Sequence, residues 1–180
     1  MRTTVRTVTG KSLDLINPDP AQICIEDIAH QLAQLNRYNG ACPFPYSVGQ
    51  HSLLVAAILP PRLQLWGLLH DAAEVYLGDL VSPAKRIPAL GQVFKPLEHR
   101  IQAAICVRFG LDPAQDYAPI KEADDAVMAV EMAHLNGWPD LVAVDRLPRP
   151  GHIAIQEMHW RHVEGEFLAK FNALIARKAA

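Results

Sequence analysis

The chain has 180 residues, 50% of them hydrophobic and 20% charged, with a formal net charge of -2. At about 100–200 residues per domain this is one domain, and so apolar a composition excludes a disordered tail. Seventeen Lys and Arg against nineteen Asp and Glu leave no basic excess, so neither nucleic acid nor a membrane surface is an expected partner.

In chain order, segments 3–9 and 12–16 read as two short strands around Gly10. Over 25–38, Ile25, Ile28, Leu32 and Leu35 recur at helical spacing, and 40–45 breaks that helix. Ser47 predicts an N-cap, with Gln50 completing a capping box. The helix it starts runs to Leu59, where Pro60 and Pro61 stop it. The segment 62–77 is apolar nearly all round and predicts one helix buried on several sides. A loop is expected over 78–92, then helices at 93–109, 117–136 and 156–177. Without repeats or a linker, the whole of 1–180 reads as one all-α domain carrying a short N-terminal β-hairpin.

Cys24, Cys42 and Cys106 are odd in number and widely spaced, which fits a reducing compartment better than a disulfide framework. Residues 1–20 lack an apolar signal core. No stretch reaches the roughly 18 uninterrupted apolar residues of a membrane span. The expected location is the cytoplasm.

Chemistry concentrates around His70 and Asp71, set in the most apolar segment of the chain. Burying an unpaired carboxylate is costly, so such a group is normally paired, protonated or bound to a metal. Glu74 lies on the same helical face four residues after His70, and Asp79 follows shortly after. His51 belongs to the preceding helix across a tight Pro-Pro connection, and Asp124 and Asp125 sit in a later apolar-periodic one. Two imidazoles and two carboxylates from three helices form a mixed donor set suited to Mn, Fe, Co, Ni or Zn. A lone buried His-Asp pair is more often a packing feature. The wider constellation shifts the balance towards a site.

His51, His70-Asp71 and Asp124 resemble the H…HD…D signature of the HD-domain phosphohydrolases. Tyr46-Ser-Val-Gly-Gln-His-Ser52 and Leu69-His-Asp-Ala-Ala-Glu-Val-Tyr-Leu-Gly-Asp-Leu80 are similar to the small bacterial and phage branch acting on deoxynucleotides. Asn17-Pro-Asp-Pro20 and Glu26-Asp-Ile-Ala-His30 read the same way. The resemblance implies a single HD helical bundle with a motif core over about 26–136, and a homo-oligomer. It implies His51, His70, Asp71 and Asp124 as ligands of one divalent ion (Mn, Co, Zn, Mg, Ni or Fe). Periodicity alone leaves Asp124 and Asp125 open. The family's K-x-x-D pattern, here Lys121 to Asp124, selects Asp124.

By the same resemblance, Glu74 and Asp79 are the catalytic pair that orients or deprotonates water and handles the leaving group's proton. Glu74 could instead accept a hydrogen bond from His70. Arg37 and Tyr38 are expected to fork a phosphate and stack on sugar or base, with Lys85 and Lys121 reaching the phosphates. The implied activity is cleavage at the 5′-phosphate of a small-molecule deoxynucleotide. Three cations around one site lean it to a dNTP triphosphohydrolase releasing triphosphate. A 5′-deoxynucleotidase acting on monophosphates and a catalytically silent nucleotide-binding module are the alternatives. His159 and His162 fall in a helix whose apolar stripe already explains it. Two-metal proteins of the resembled family carry extra histidine ligands between the positions of His70 and Asp124. His99 is the only histidine there, so the resemblance implies a mononuclear centre.

Overall fold

The computed structural model describes residues 3–112, 115, 117–136 and 153–179. Two short strands, β1 (Thr4–Arg6) and β2 (Ser12–Asp14), pair antiparallel with Val5 opposite Leu13. The rest is all-α: α1 (Ile25–Gln34), α2 (Val48–Ile58), α3 (Gln64–Leu69), α4 (Glu74–Leu77), α5 (Ser82–Lys85), α6 (Pro88–Phe109), α7 (Ala118–Glu131) and α8 (Trp160–Ala179). Among the described residues, no helix is long and apolar enough to cross a membrane.

Burial explains the packing order. Helix α1 turns Ile28, Ala29, Leu32 and Ala33 inward and packs on α8, whose stripe Val163, Phe167, Phe171 and Leu174 is also buried. Each such Ile, Leu, Val or Phe side chain contributes about 1.5–3 kcal/mol on burial. Helix α2 lies between α1, α3, α7 and α8, starting at the predicted capping box of Ser47 and Gln50. Helices α2 and α3 cross closely at Gly67, where a Cβ would collide with Leu59 Cδ1 and stand 3.2 Å from Ala56 Cα. Gly67→Ala is therefore expected to cost about 1–3 kcal/mol by overpacking, read as a lower urea midpoint with an unchanged denaturant slope.

Several expected boundaries move; the last helix, for one, begins at Trp160 rather than at residue 156. The first long helix ends at Gln34 rather than Tyr38: Leu35 is extended, and Asn36 bridges to Ser47. Arg37 N–H then donates to Tyr46 O (2.9 Å) and Val48 N–H to Leu35 O (2.9 Å), closing the neck of an excursion over 37–46. Inside it, Arg37–Gly40 makes a 3₁₀ turn in which Tyr38 (φ 55°) and Asn39 (φ 53°) are left-handed. That conformation costs a non-glycine residue about 1–3 kcal/mol, sustained only by surrounding contacts.

The expected helix over 62–77 is interrupted. Between α3 and α4 the bonds tighten to i→i+3: Ala72 N–H to Leu69 O, Glu74 N–H to Asp71 O, Val75 N–H to Ala72 O and Tyr76 N–H to Ala73 O. The backbone at His70 and Ala73 stays right-handed, so the apolar pattern alone could not distinguish this winding. Such tightened segments inside helices often mark functional positions. Finally, the expected loop over 78–92 contains α5 and the start of α6. Pro88 opens α6 rather than breaking it, because its missing N–H costs nothing in the first turn.

Candidate metal centre

Helix α2 presents His51 in its first turn, the tightened segment presents His70 and Asp71, and α7 presents Asp124. His51 is fully buried and His70 nearly so. Their ring centroids are 5.3 Å apart. His51 Nε2 stands 3.0 Å from Asp124 Oδ1 and 3.8 Å from Asp71 Oδ2, and His70 Nε2 stands 3.1 Å from Asp71 Oδ2. One potential ligand atom each from His51, His70 and Asp124 lies within 4.8 Å of the others. Among the described residues, this is the one group of three or more His, Cys, Asp or Glu with donor atoms so gathered.

The rings are oriented from behind. His70 Nδ1–H donates to Gly67 O at 2.8 Å, and His51 Nδ1–H to Glu131 Oε1 at 2.7 Å. A carbonyl and an ionised carboxylate can only accept, which fixes both Nδ1 atoms as donors. In the neutral rings, each Nε2 lone pair then faces the cluster. Both Nε2 atoms are buried and make no aligned hydrogen bond. Two orphaned imidazole nitrogens beside carboxylate oxygens are the donor chemistry a divalent ion requires, so the residues present fit such an ion.

The electrostatics agree. Burial works to raise Asp124, but His51, His70 and Lys121 outweigh it and hold its carboxyl far below the ordinary range. Asp71 is held low in the same way, against burial, by His70 and His51. Burial and Arg37 work against charge on His51, yet Glu131 and Asp124 lift it to about 9. This is a cluster that draws positive charge.

Around the cluster, Glu74 is buried with Oε2 unpartnered. Burial, then Asp71 and Asp79, pushes its carboxyl well above the usual range. It does not bond His70, whose Nδ1 is taken by Gly67; it receives Lys85 Nζ at 3.5 Å. Asp79 is half-buried, and burial raises its carboxyl too. Lys85 is also held by Glu98 at 2.6 Å. Lys121 binds Asp124 at 3.1 Å and also Asp125, which is outside the gathered donor set. The three expected phosphate cations are thus all engaged by carboxylates, the third being Arg37.

Arg37 is buried, its Nε and Nη2 both 3.0 Å from Glu131 Oε2, while Nη1 stands 3.9 Å from Asp71 Oδ2. Tyr38 does not reach the histidines; its hydroxyl donates to Glu131 Oε2 at 2.8 Å, under the Arg37 guanidinium. Tyr46 donates to Glu131 Oε1 at 2.9 Å. Glu131 itself is fully buried and held down to about 2, burial being outweighed by Arg37 and His51. The sequence reading missed this residue. Its signal was present, because Ile120, Asp124, Val127 and Glu131 form one helical stripe.

No family model matches the chain. An uncharacterized protein of Rhodobacter capsulatus is 35% identical over 94% of this chain and 94% of its own length. The uncharacterized protein YfdR of Escherichia coli is 33% identical, again over 94% of both. The chain belongs to their family. Further away, a 5′-deoxynucleotidase of Photobacterium profundum is 26% identical over 53% of this chain and 61% of its own length.

Proposed function

We propose that the chain is an HD-type hydrolase that uses one divalent ion, bound by His51, His70, Asp71 and Asp124, to cleave the 5′-phosphate of a deoxynucleotide. The observation that carries this reading is the pair of buried, unpartnered Nε2 atoms standing 3.0 Å and 3.1 Å from the carboxylate oxygens of Asp124 and Asp71. The partial similarity to a 5′-deoxynucleotidase supports the substrate class.

A divalent ion held there would polarise a phosphoryl oxygen and acidify water from a pKa of about 15.7 towards about 7. Glu74 sits beside that position with a free buried oxygen and a proton affinity raised by its surroundings. It is the group to take a proton from attacking water, and Asp79 the group to return one to the leaving 5′ oxygen. Lys85 Nζ, 3.5 Å from Glu74 Oε1, holds that carboxyl in place. Arg37 reaches Asp71 with one nitrogen and is aimed at a phosphate bound there.

A deoxynucleoside monophosphate is the better-supported substrate, because Arg37, Lys85 and Lys121 are each already neutralised by carboxylates. A triphosphate is the second reading, favoured by three cations standing around one centre. Incubation of the full chain with deoxynucleoside mono-, di- and triphosphates and Mn, Co, Mg or Zn separates them. Orthophosphate from a monophosphate supports the first and inorganic triphosphate the second, while binding without hydrolysis overturns the enzyme reading. Glu74→Gln is expected to lower turnover by about 10²–10⁴-fold with metal content unchanged, measured on the same preparations.

A further inference from the structure

We propose that Glu131 is the positioning residue of this centre, fixing the His51 ring for metal ligation and Arg37 for phosphate. The assignment rests on the metal reading above and adds to it a residue outside the H…HD…D set.

The two histidines are held differently. His70 Nδ1–H donates to a neutral backbone carbonyl, Gly67 O, whereas His51 Nδ1–H donates to a carboxylate with no exposed surface. An ionised acceptor behind an imidazole fixes its tautomer and raises the basicity of the opposite nitrogen, so His51 is the more electron-rich ligand of the pair. Glu131 lies two helical turns from Asp124 on the same face of α7. One helix thereby supplies a ligand and the support for another.

A simple ion-pair partner for Arg37 would not need this arrangement. Glu131 divides its oxygens: Oε1 takes His51 and Tyr46, and Oε2 takes Arg37 and Tyr38. The metal side and the phosphate side are joined through one carboxylate. Arg37 cancels the charge of Glu131, so the support adds no net negative charge to the ligand set.

The test is Mn²⁺ affinity, measured calorimetrically on the full chain without nucleotide. Glu131→Gln is expected to bind Mn²⁺ about 10–100-fold more weakly than wild type, with altered visible absorption of the Co²⁺-loaded form. If that variant does not fold, Glu131→Gln combined with Arg37→Met removes the ion pair as a whole, which buried pairs often tolerate. The double variant is expected to regain stability while its Mn²⁺ affinity stays low. Tyr46→Phe, which leaves the carboxylate in place, is expected to keep wild-type affinity. Wild-type affinity in the double variant, or a loss in Tyr46→Phe as large as in Glu131→Gln, overturns the role while leaving the metal centre standing. A wild-type chain that takes up no Mn²⁺ overturns both.

Discussion

Replacing His70 with alanine is expected to leave a folded chain that no longer retains metal and no longer hydrolyses nucleotide. Of the donor atoms gathered between α2, the tightened segment and α7, two are imidazole nitrogens. Removing one leaves a single nitrogen and carboxylates, a set that exchanges its ion readily in water. The loss should exceed the roughly 10–100-fold that follows from disturbing only the groups behind a ligand. Folding should survive, because His70 makes one side-chain hydrogen bond, to Gly67 O, and the surrounding core is apolar. Metal analysis after dialysis, beside a far-ultraviolet circular dichroism spectrum, checks both halves. Stoichiometric metal in a folded His70→Ala protein would remove His70 from the ligand set.

Glu131→Ala is expected to be the most destabilising single change, by about 3–5 kcal/mol, because it leaves the buried Arg37 guanidinium without its counter-charge. The hydroxyls of Tyr38 and Tyr46 and the Nδ1–H of His51 lose their acceptor at the same time. Urea unfolding at neutral pH reads the difference. The same carboxyl gives an acid signature. Its proton affinity is depressed to about 2 in the folded chain, from an ordinary value of 4.5. Its contribution is therefore complete above pH 4.5 and lost as pH falls towards 2. The stability gap between wild type and Glu131→Gln should narrow across that window. A gap independent of pH would show that the carboxylate charge is not what holds this network.

Most of the helical framework was legible because its signals are local. The capping box of Ser47 and Gln50 and the apolar stripe of α8 both depend on residues three or four apart. The resemblance supplied the candidate ligands, and the backbone brought three helical segments together around them. What escaped the sequence depends on partners distant along the chain. The stripe of α7 places Glu131 on the face of Asp124, but its role shows only once Arg37, Tyr38, Tyr46 and His51 are seen around it. The break at His70–Ala73 escaped because an apolar helix and a 3₁₀ winding share nearly the same pattern of side chains. The end of α1 was placed too late because Leu35 continues the periodicity while its backbone pairs with the strand-like entry to α2.

The pinched neck between Asn36 and Ser47 has a consequence for how this protein can diversify. The residues that hold Glu131, namely Arg37, Tyr38 and Tyr46, sit at the base of the excursion, where backbone hydrogen bonds lock them. Between them, Gly40, Ala41 and Pro43 are exposed. Lengthening such a tip costs little, about 0.6 kcal/mol for each doubling. The tip can change in length and chemistry while the hydrogen bonds that hold Arg37, Tyr38 and Tyr46 stay untouched, separating what is free to evolve from what is not.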